Sequence, residues 1–334
     1  MSKPLVFITG ATGFIGAQVV ATTLQAGYRV RLSIRKAEQE AVVRARYVGY
    51  DGYEGIEFIV IPDLSKQESF SSALVGVDYV FHLASPTPSS GDIQTAYIDP
   101  AVEGTLSVLR AAQAFEQIKK IVIVSSLLAL GPVDTFFAHE VSLRDNTGET
   151  IPVDLSMHLP EGPAGEALKY SVSKIKAHEA TREFITNNTP SYKVITFHPT
   201  FVLGDSMLQE RPEDIGGINA MFWKGLSQEK PTIHHSWVHV RDVADAHVKV
   251  LQTEIETGKE FILARPVDWE DVVSYLNEKY PEVECKMKGP FEDNWKIDTT
   301  TAEEILGMKW RSAHSIIDDL TQQQLALRAK VASS

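Results

Sequence analysis

The sequence predicts an α/β fold in which a doubly wound parallel sheet is joined to a smaller C-terminal subdomain. Five short apolar segments alternate with helical segments in the first part of the chain, which implies right-handed βαβ units. Each segment is a continuous apolar run, as expected for a parallel strand buried on both faces. The length of 334 residues exceeds that of most single hydrophobic cores and therefore indicates a second, smaller unit.

A glycine-rich turn follows the first predicted strand, Leu5 to Thr9, and leads into a helix predicted over Phe14 to Gln25. In a Rossmann fold, glycines in this turn let the backbone approach a pyrophosphate, which the N-terminus of the helix binds. The spacing is G-x-x-G-x-x-G and not G-x-G-x-x-G, so a glycine turn without a ligand is the alternative. We expect cofactor contacts from Gly10, Thr12, Gly13, Phe14 and Ile15.

Composition limits the function classes. The net charge of −12 and the pI near 5.3 argue against binding to nucleic acid or to an anionic membrane surface. One cysteine, Cys285, rules out an internal disulfide and fits a reducing compartment. Met1 to Lys3 run directly into the first strand, and no apolar stretch approaches the ~18 residues of a membrane span. We therefore expect a cytoplasmic monomer or homodimer without a signal peptide or membrane segment.

The end of the second predicted strand, Tyr28 to Ile34, suggests which dinucleotide is bound. In Rossmann folds a carboxylate at this place accepts from the ribose 2′-OH of NAD, whereas an arginine accommodates the 2′-phosphate of NADP. Here the strand is followed by Arg35 and Lys36, and Ser33 and Ile34 offer no carboxylate. These residues favour NADP(H), and solvated charges at a strand end are the alternative.

Two further strands end in residues that suit a cofactor. Strand Glu57 to Ile61 is followed by Asp63-Leu64, where the carboxylate either accepts from the adenine amino group or caps a helix starting near Gln67. Strand Tyr79 to Leu83 is followed by Ala84-Ser85, whose small side chains let the backbone approach a cofactor. His82, inside the latter strand, is interpreted as a packed histidine.

The chemistry is predicted at Ser126, Tyr170 and Lys174. Ser126 follows the fifth strand, and Tyr170 and Lys174 lie four residues apart on a helix predicted over 165–187, on one face and about 6 Å apart along its axis. A nearby ammonium favours the phenolate of a tyrosine that acts as acid or base. Ser126 would donate a hydrogen bond to a carbonyl oxygen, and the cofactor would supply hydride. A surface Tyr–Lys pair is the alternative, but the order of the three signals argues against it.

Other chemistries lack their motifs. The sequence contains no G-x-S-x-G, no G-x-x-x-x-G-K-[ST] and no H-E-x-x-H. The histidine cluster of His234, His235 and His239 has no carboxylate or thiol at metal spacing, so we interpret it as packing and expect no metal.

These residues together resemble the extended short-chain dehydrogenase/reductase family, in particular its dihydroflavonol-reductase-like ketoreductases and aldehyde (carbonyl) reductases. The resemblance implies a catalytic trio of Ser126, Tyr170 and Lys174, with Arg35 on the 2′-phosphate. It also implies cofactor contacts from Tyr170 and Lys174 and places Pro199 and Thr200 near the nicotinamide amide. The matching stretches are Ile8 to Gly16, Leu32 to Arg35, Asp63-Leu64, His82 to Ser85, Tyr170 to Lys174 and Val238 to Ala244.

The sequence departs from the family at two positions. Ala101 stands where many relatives carry an asparagine that supports the active-site helix, a replacement that reductases of this branch tolerate. Gly131 stands five residues beyond Ser126, where flavonoid-acting members carry an asparagine, which argues against a flavonoid substrate.

We expect an NADP-binding Rossmann domain from residues 1–199 with 232–263, and a substrate-binding subdomain from 200–231 with 264–334. Regular structure is predicted to lapse over 127–165 and over most of 201–236, apart from a helix near 215–226. Loops of this kind supply pocket walls or local core, and both remain open for single aromatic residues. The predicted pocket residues are Leu127, Leu128, Phe136, Phe137, Phe201 and Trp223.

The sequence thus predicts an NADPH-dependent reductase that converts a small-molecule ketone or aldehyde to an alcohol, with Tyr170 as proton donor. Two alternatives share the fold. One is an NAD-linked nucleotide-sugar epimerase or dehydratase, which the basic end of the second strand disfavours. The other is a non-catalytic NADP-binding sensor, which the intact trio disfavours.

Overall fold

The computed structural model describes residues 3–85, 91–157, 159–292 and 294–333. Its strands are β1 Leu5–Thr9, β2 Arg29–Ile34, β3 Glu57–Val60, β4 Tyr79–His82, β5 Lys120–Val124, β6 Glu140–Leu143, β7 Lys193–Pro199, β8 Phe201–Leu203, β9 Ser236–His239, β10 Lys259–Leu263, β11 Arg265–Pro266 and β12 Asn294–Ile297. Its α-helices are α1 Phe14–Gln25, α2 Gln39–Ala45, α3 Asp99–Ala112, α4 Pro163–Asn188, α5 Gly217–Gly225, α6 Val240–Gln252, α7 Trp269–Lys279, α8 Thr300–Leu306 and α9 Ala313–Ala332. Within these described parts of the chain, none of the helices combines the length and the apolar composition that a bilayer span requires.

A sheet of seven parallel strands forms the centre of the molecule, in the order β10-β7-β5-β4-β1-β2-β3. The predicted Rossmann-type α/β fold is therefore confirmed. The chain order reverses between β1 and its neighbour β4. Since open α/β sheets bind ligands beyond the carboxyl ends of the strands at such a switch point, this edge is where a site is expected.

The central sheet is covered on both faces because its strands are apolar on both sides. All five residues of β1 are buried. Val6 and Ile8 belong to the core under α1, α2 and α6, whereas Leu5 and Phe7 belong to the core under α3 and α4. This two-sided burial explains why β1 is a continuous apolar run and not an alternating one.

Two small sheets lie in segments that the sequence analysis left largely without regular structure. Strand β6, inside the predicted irregular segment 127–165, pairs in parallel with β12, and β8, β9 and β11 form a three-stranded sheet. The expected irregularity was wrong there because each short strand is stabilised by a partner that is distant in sequence. A third core contains Phe222, Trp237 and Trp269. The proposed division into two discontinuous domains stays a prediction.

The helix start expected near Gln67 differs in the structure. The segment Gln67–Phe70 forms a short 3-10 turn and does not continue as an α-helix. Further along the chain, a π-helical turn, Gln94–Ile98, leads directly into α3.

Three histidines, His82, His198 and His247, are buried against the central sheet. Burial lowers the pKa of His82 and His247 to about 4 and that of His198 to about 3. A histidine in an unfolded chain has a pKa near ~6.5. Between that pH and the pKa in the folded state, the unfolded chain therefore binds protons that the folded protein does not bind. Their contribution to stability is therefore complete above about pH 6.5 and is lost as the pH falls toward 4.

We predict that the free energy of unfolding falls from pH 6.5 to pH 5, by up to about 1.4 kcal/mol per pH unit for each buried neutral histidine. Urea unfolding at several pH values measures this slope. His247→Leu should reduce the slope, because it removes one of the three groups. The exposed His139 provides the control, and His139→Leu should leave the slope unchanged. Equal slopes in the wild type and in His247→Leu would contradict the prediction.

Candidate active site

Glycine is required at two positions, one in the turn between β1 and α1 and one in the first turn of α1. Gly10 has a φ of +74°, in the left-handed region, and a Cβ there would lie 2.7 Å from the Ala84 backbone nitrogen. A Cβ at Gly16 would overlap the carbonyl oxygen of Gly10. Helix α1 begins after Gly13, which has no side chain to cap it. Its first N–H groups therefore remain available to an external acceptor.

A cavity of about 930 Å³ lies beside this turn. Its lining includes Gly10, Gly13, Phe14 and Ile15, four of the residues for which cofactor contacts are predicted. The structure brings the three predicted catalytic residues to the same cavity, together with Pro199 and Thr200. The trio consists of Ser126, Tyr170 and Lys174.

Helix α4 positions Tyr170 and Lys174. The Lys174 ammonium is buried, donates a hydrogen bond to Ser85 Oγ at 3.1 Å and lies 5.4 Å from the centre of the Tyr170 ring. The expected one-face arrangement of the pair is therefore present. A positive charge at this distance can stabilise a phenolate. The hydrogen bond to Ser85 holds the ammonium beside the end of β4.

Ser126 is the second residue after β5, and three hydrogen bonds hold it, one of them from the Ala129 backbone N–H to its carbonyl oxygen at 3.0 Å. Its Oγ accepts from the Leu128 backbone N–H at 3.2 Å, so its own O–H remains able to donate to a ligand. Its carbonyl oxygen lies 3.0 Å from His198 Nδ1, and because a carbonyl only accepts, Nδ1 carries the proton. His198 Nε2 then accepts from the Thr196 hydroxyl at 2.9 Å. No sequence signal pointed to His198, since its contact with Ser126 depends on β7 lying beside β5.

A second cavity, of about 540 Å³, lies on the other side of Ser85. Its lining includes Arg35, Asp63, Leu64 and Ala84, all predicted to contact the cofactor. Ser85 lines both cavities, so the two spaces meet at the end of β4.

Asp63 makes local hydrogen bonds at Ser65 and does not cap a helix at Gln67. Its Oδ1 accepts from the hydroxyl and the backbone N–H of Ser65, and these hydrogen bonds lower the pKa of Asp63. Asp63 therefore caps a local turn at Ser65 and also lines the cavity. Of the described residues predicted to contact the cofactor, Thr12 and Lys36 lie outside the linings of both cavities.

Most of the predicted substrate residues line the larger cavity, namely Leu127, Leu128, Phe136, Phe137 and Phe201. Trp223 is not part of that lining within the described chain, because its ring packs against the Arg328 guanidinium, 4.9 Å away. Trp295 of β12 does line the cavity and was missed, because only the pairing of β12 with β6 brings it there. Other lining residues that were not predicted include Leu208, Gln209, Asp214 and Asn219.

His82 and His239 each take part in a polar contact inside the protein. His82 Nδ1 lies 3.0 Å from Thr9 Oγ1, in line with its interpretation as a packed residue. His239 Nε2 lies 2.8 Å from Asp319 Oδ2, a carboxylate that sequence spacing did not indicate. Arg241 also pairs with Asp319, so a protein cation already neutralises this carboxylate.

A profile of the NAD dependent epimerase/dehydratase family matches residues 6–264, which span the glycine turn, all seven strands of the central sheet and the trio. The chain belongs to this family. The resemblance to extended short-chain dehydrogenase/reductases is therefore confirmed, and with it the expectation of an oxidoreductase of this family.

Three further proteins are similar to this family member over nearly its whole length. Ketoreductase sphI of Aspergillus fumigatus is 34% identical over 97% of this chain and 98% of its own length. The NAD-dependent epimerase/dehydratase ALT6 of Alternaria alternata is 31% identical over 92% of this chain and 94% of its own. The crystal structure of Gre2 from Candida albicans in complex with NADPH has a TM-score of 0.78 at 23% identity and covers 97% of this chain and 99% of that one.

The residues of this family member fit a dinucleotide. A cofactor with two nucleotide halves needs two connected spaces and an anion site between them. The two cavities share Ser85, and the uncapped start of α1 faces the larger cavity. Side chains larger than glycine at positions 10 and 16 would displace the backbone that forms this site.

We predict that Gly16→Ala lowers the free energy of unfolding by about 1–3 kcal/mol, because the new methyl group must push α1 away from Gly10. Chemical denaturation measures the change. Gly55→Ala is the matched control, since a Cβ at Gly55 meets nothing within 4 Å, and it should change stability by less than about 0.5 kcal/mol. Equal stabilities of the two variants would show that the close approach is not a constraint.

Proposed function

We propose that this protein reduces a ketone or an aldehyde to an alcohol with NADPH. The observation that carries the proposal is the shared cavity of Ser126, Tyr170 and Lys174 beside the glycine turn. The name of the relative sphI, a ketoreductase, and the NADPH complex of the similarly folded Gre2 support it. When bound, NADPH supplies hydride to the carbonyl carbon.

The three side chains have separate tasks in this reaction. Ser126 has its O–H free to donate to the carbonyl oxygen, where negative charge develops as hydride arrives. Tyr170 transfers its phenolic proton to that oxygen, which yields the alcohol and leaves a phenolate. The Lys174 ammonium, 5.4 Å from the ring centre, stabilises this phenolate.

Other residues would hold the cofactor. The glycine turn and the start of α1 take the pyrophosphate, and Asp63 lies in the cavity that suits the adenosine half. Arg35 lines the same cavity and is the proposed partner of the 2′-phosphate. Pro199 and Thr200 line the larger cavity, where the nicotinamide is expected.

A nucleotide-sugar epimerase or dehydratase fits this cavity less well. Among the described lining residues of the larger cavity, Lys174 is the single cation and Asp214 the single carboxylate. A sugar nucleotide carries a diphosphate, which proteins bind with arginines or further cations. A thermal-shift screen with UDP-sugars against NADPH and carbonyl compounds separates the two functions, and stabilisation by UDP-sugars alone would favour the epimerase.

We predict that Tyr170→Phe lowers kcat for carbonyl reduction by about 10²-fold or more, because it removes the proton donor and leaves the ring in place. NADPH absorbance with a panel of ketones, β-keto esters, diketones and aldehydes measures the rate. NADPH binding, followed by fluorescence, should change little and shows that the variant is folded. Full activity of Tyr170→Phe would exclude the proposed role.

We predict that Arg35→Ser raises KM for NADPH by about 10- to 100-fold, because a charge-assisted hydrogen bond to phosphate is lost. KM for NADH should stay nearly constant, since NADH has no 2′-phosphate. Lys36→Ser is the comparison, and its effect should be smaller because Lys36 lies outside the described cavity linings. A wild type with higher kcat/KM for NADH than for NADPH would contradict this assignment.

A further inference from the structure

A third cavity, of about 500 Å³, lies behind the wall of the larger one. One residue, Trp295, lines both spaces. On the far side its neighbours include Arg144, Ser236 and Lys296. Trp295 is therefore the residue at which the two spaces adjoin, and we call its indole the partition between the proposed active site and the far cavity, by which we mean this 500 Å³ space.

The partition is held from three directions. The Trp295 indole N–H donates to the carbonyl of Ala138 at 2.9 Å, and its ring stacks on His234 with centres 4.3 Å apart and planes 13° apart. The backbone of β12 pairs with β6, with Trp295 opposite Val141. The side chain is 7% exposed. Swinging it aside would break a hydrogen bond and a ring stack together, so it acts as a fixed wall and not as a gate.

The two sides of this wall differ in chemistry. The active-site side is apolar, with Phe136, Phe201 and Met221 in the lining. The far cavity carries two exposed cations, Arg144 and Lys296, beside one carboxylate, Asp298. The Ser236 hydroxyl on that side is buried and has no hydrogen-bond partner among the described residues. The far cavity thus suits a polar or anionic group, which the apolar side does not.

We propose that Trp295 determines which carbonyl compounds are accepted by limiting their length. A substrate whose distal end extends beyond the indole is excluded, and without the indole an anionic end group reaches the cations of the far cavity. This inference rests on the proposed carbonyl reduction. It concerns the length and the charge of the substrate, not the reaction itself.

The test compares three ketones: 2-hexanone, 2-undecanone and 10-oxoundecanoate. The last two have the same number of carbon atoms but differ in the terminal carboxylate. Trp295→Ala should raise kcat/KM for 10-oxoundecanoate relative to 2-hexanone by about tenfold or more, mainly through KM, because a steric block is removed. Trp295→Phe keeps a ring at this position and should show a smaller change.

Matched variants show whether the far cavity is responsible. Trp310→Ala removes another tryptophan, one that donates to Glu303 and lies outside the described cavity linings, and should leave the ratio unchanged. Adding Arg144→Gln to Trp295→Ala should reduce the gain for 10-oxoundecanoate but not for 2-undecanone. Equal factors for all three ketones in Trp295→Ala would overturn the inference, because a structural defect alone gives that result.

A binding measurement separates this inference from the proposed function. If the wild type reduces no carbonyl compound with NADPH, the proposed function fails. Calorimetry with 10-oxoundecanoate then still tests the partition. Binding to Trp295→Ala and not to the wild type supports it, and equal binding or no binding to both overturns it.

Discussion

The close packing of α1 on β1 at Gly16 is the constraint on which the site depends. Because no side chain fits between Gly16 and the Gly10 carbonyl, the helix starts directly at the carboxyl end of β1. This end lies beside β4, where the strand order reverses. The uncapped helix start and Ser85 are thereby brought to one edge, and the two cavities meet there. A bulkier residue at position 16 would move all of these features together.

The proposed catalytic side chains depend on the same sheet through a second contact. Ser126 lies at the end of β5, and its carbonyl is held by His198 from the neighbouring β7. Burial keeps His198 neutral, with a pKa of about 3, so this hydrogen bond persists at ordinary pH. Lys174 reaches across from α4 to Ser85 after β4. Adjacent strands of one sheet therefore hold both the proposed hydrogen-bond donor and the proposed cation.

Features with a local signal could be predicted from the sequence, and features made by distant pairing could not. The continuous apolar runs, the glycine turn and the Tyr170–Lys174 spacing are each signals within a few residues, and they led to the parallel sheet and to the turn and trio residues that line the larger cavity. Strand β12 is stabilised by β6, about 150 residues earlier, so Trp295 gave no signal. Trp223 was assigned to the pocket from composition alone, whereas its direction is set by packing against Arg328 of α9.

The lining of the larger cavity determines what kind of selectivity it can have. Few charged groups face it, so affinity must come mainly from burial of apolar substrate surface, at about 25 cal/mol per Å². Such burial discriminates weakly, since one methylene changes binding by only about 1–3 kcal/mol. Strong selection between substrates then requires a rigid cavity wall. The ring cluster of Phe136, Phe201, His234 and Trp295 has this property, because hydrogen bonds to backbone carbonyls hold both His234 and Trp295. Shape, and not polar recognition, is therefore the means by which this cavity can choose its substrate.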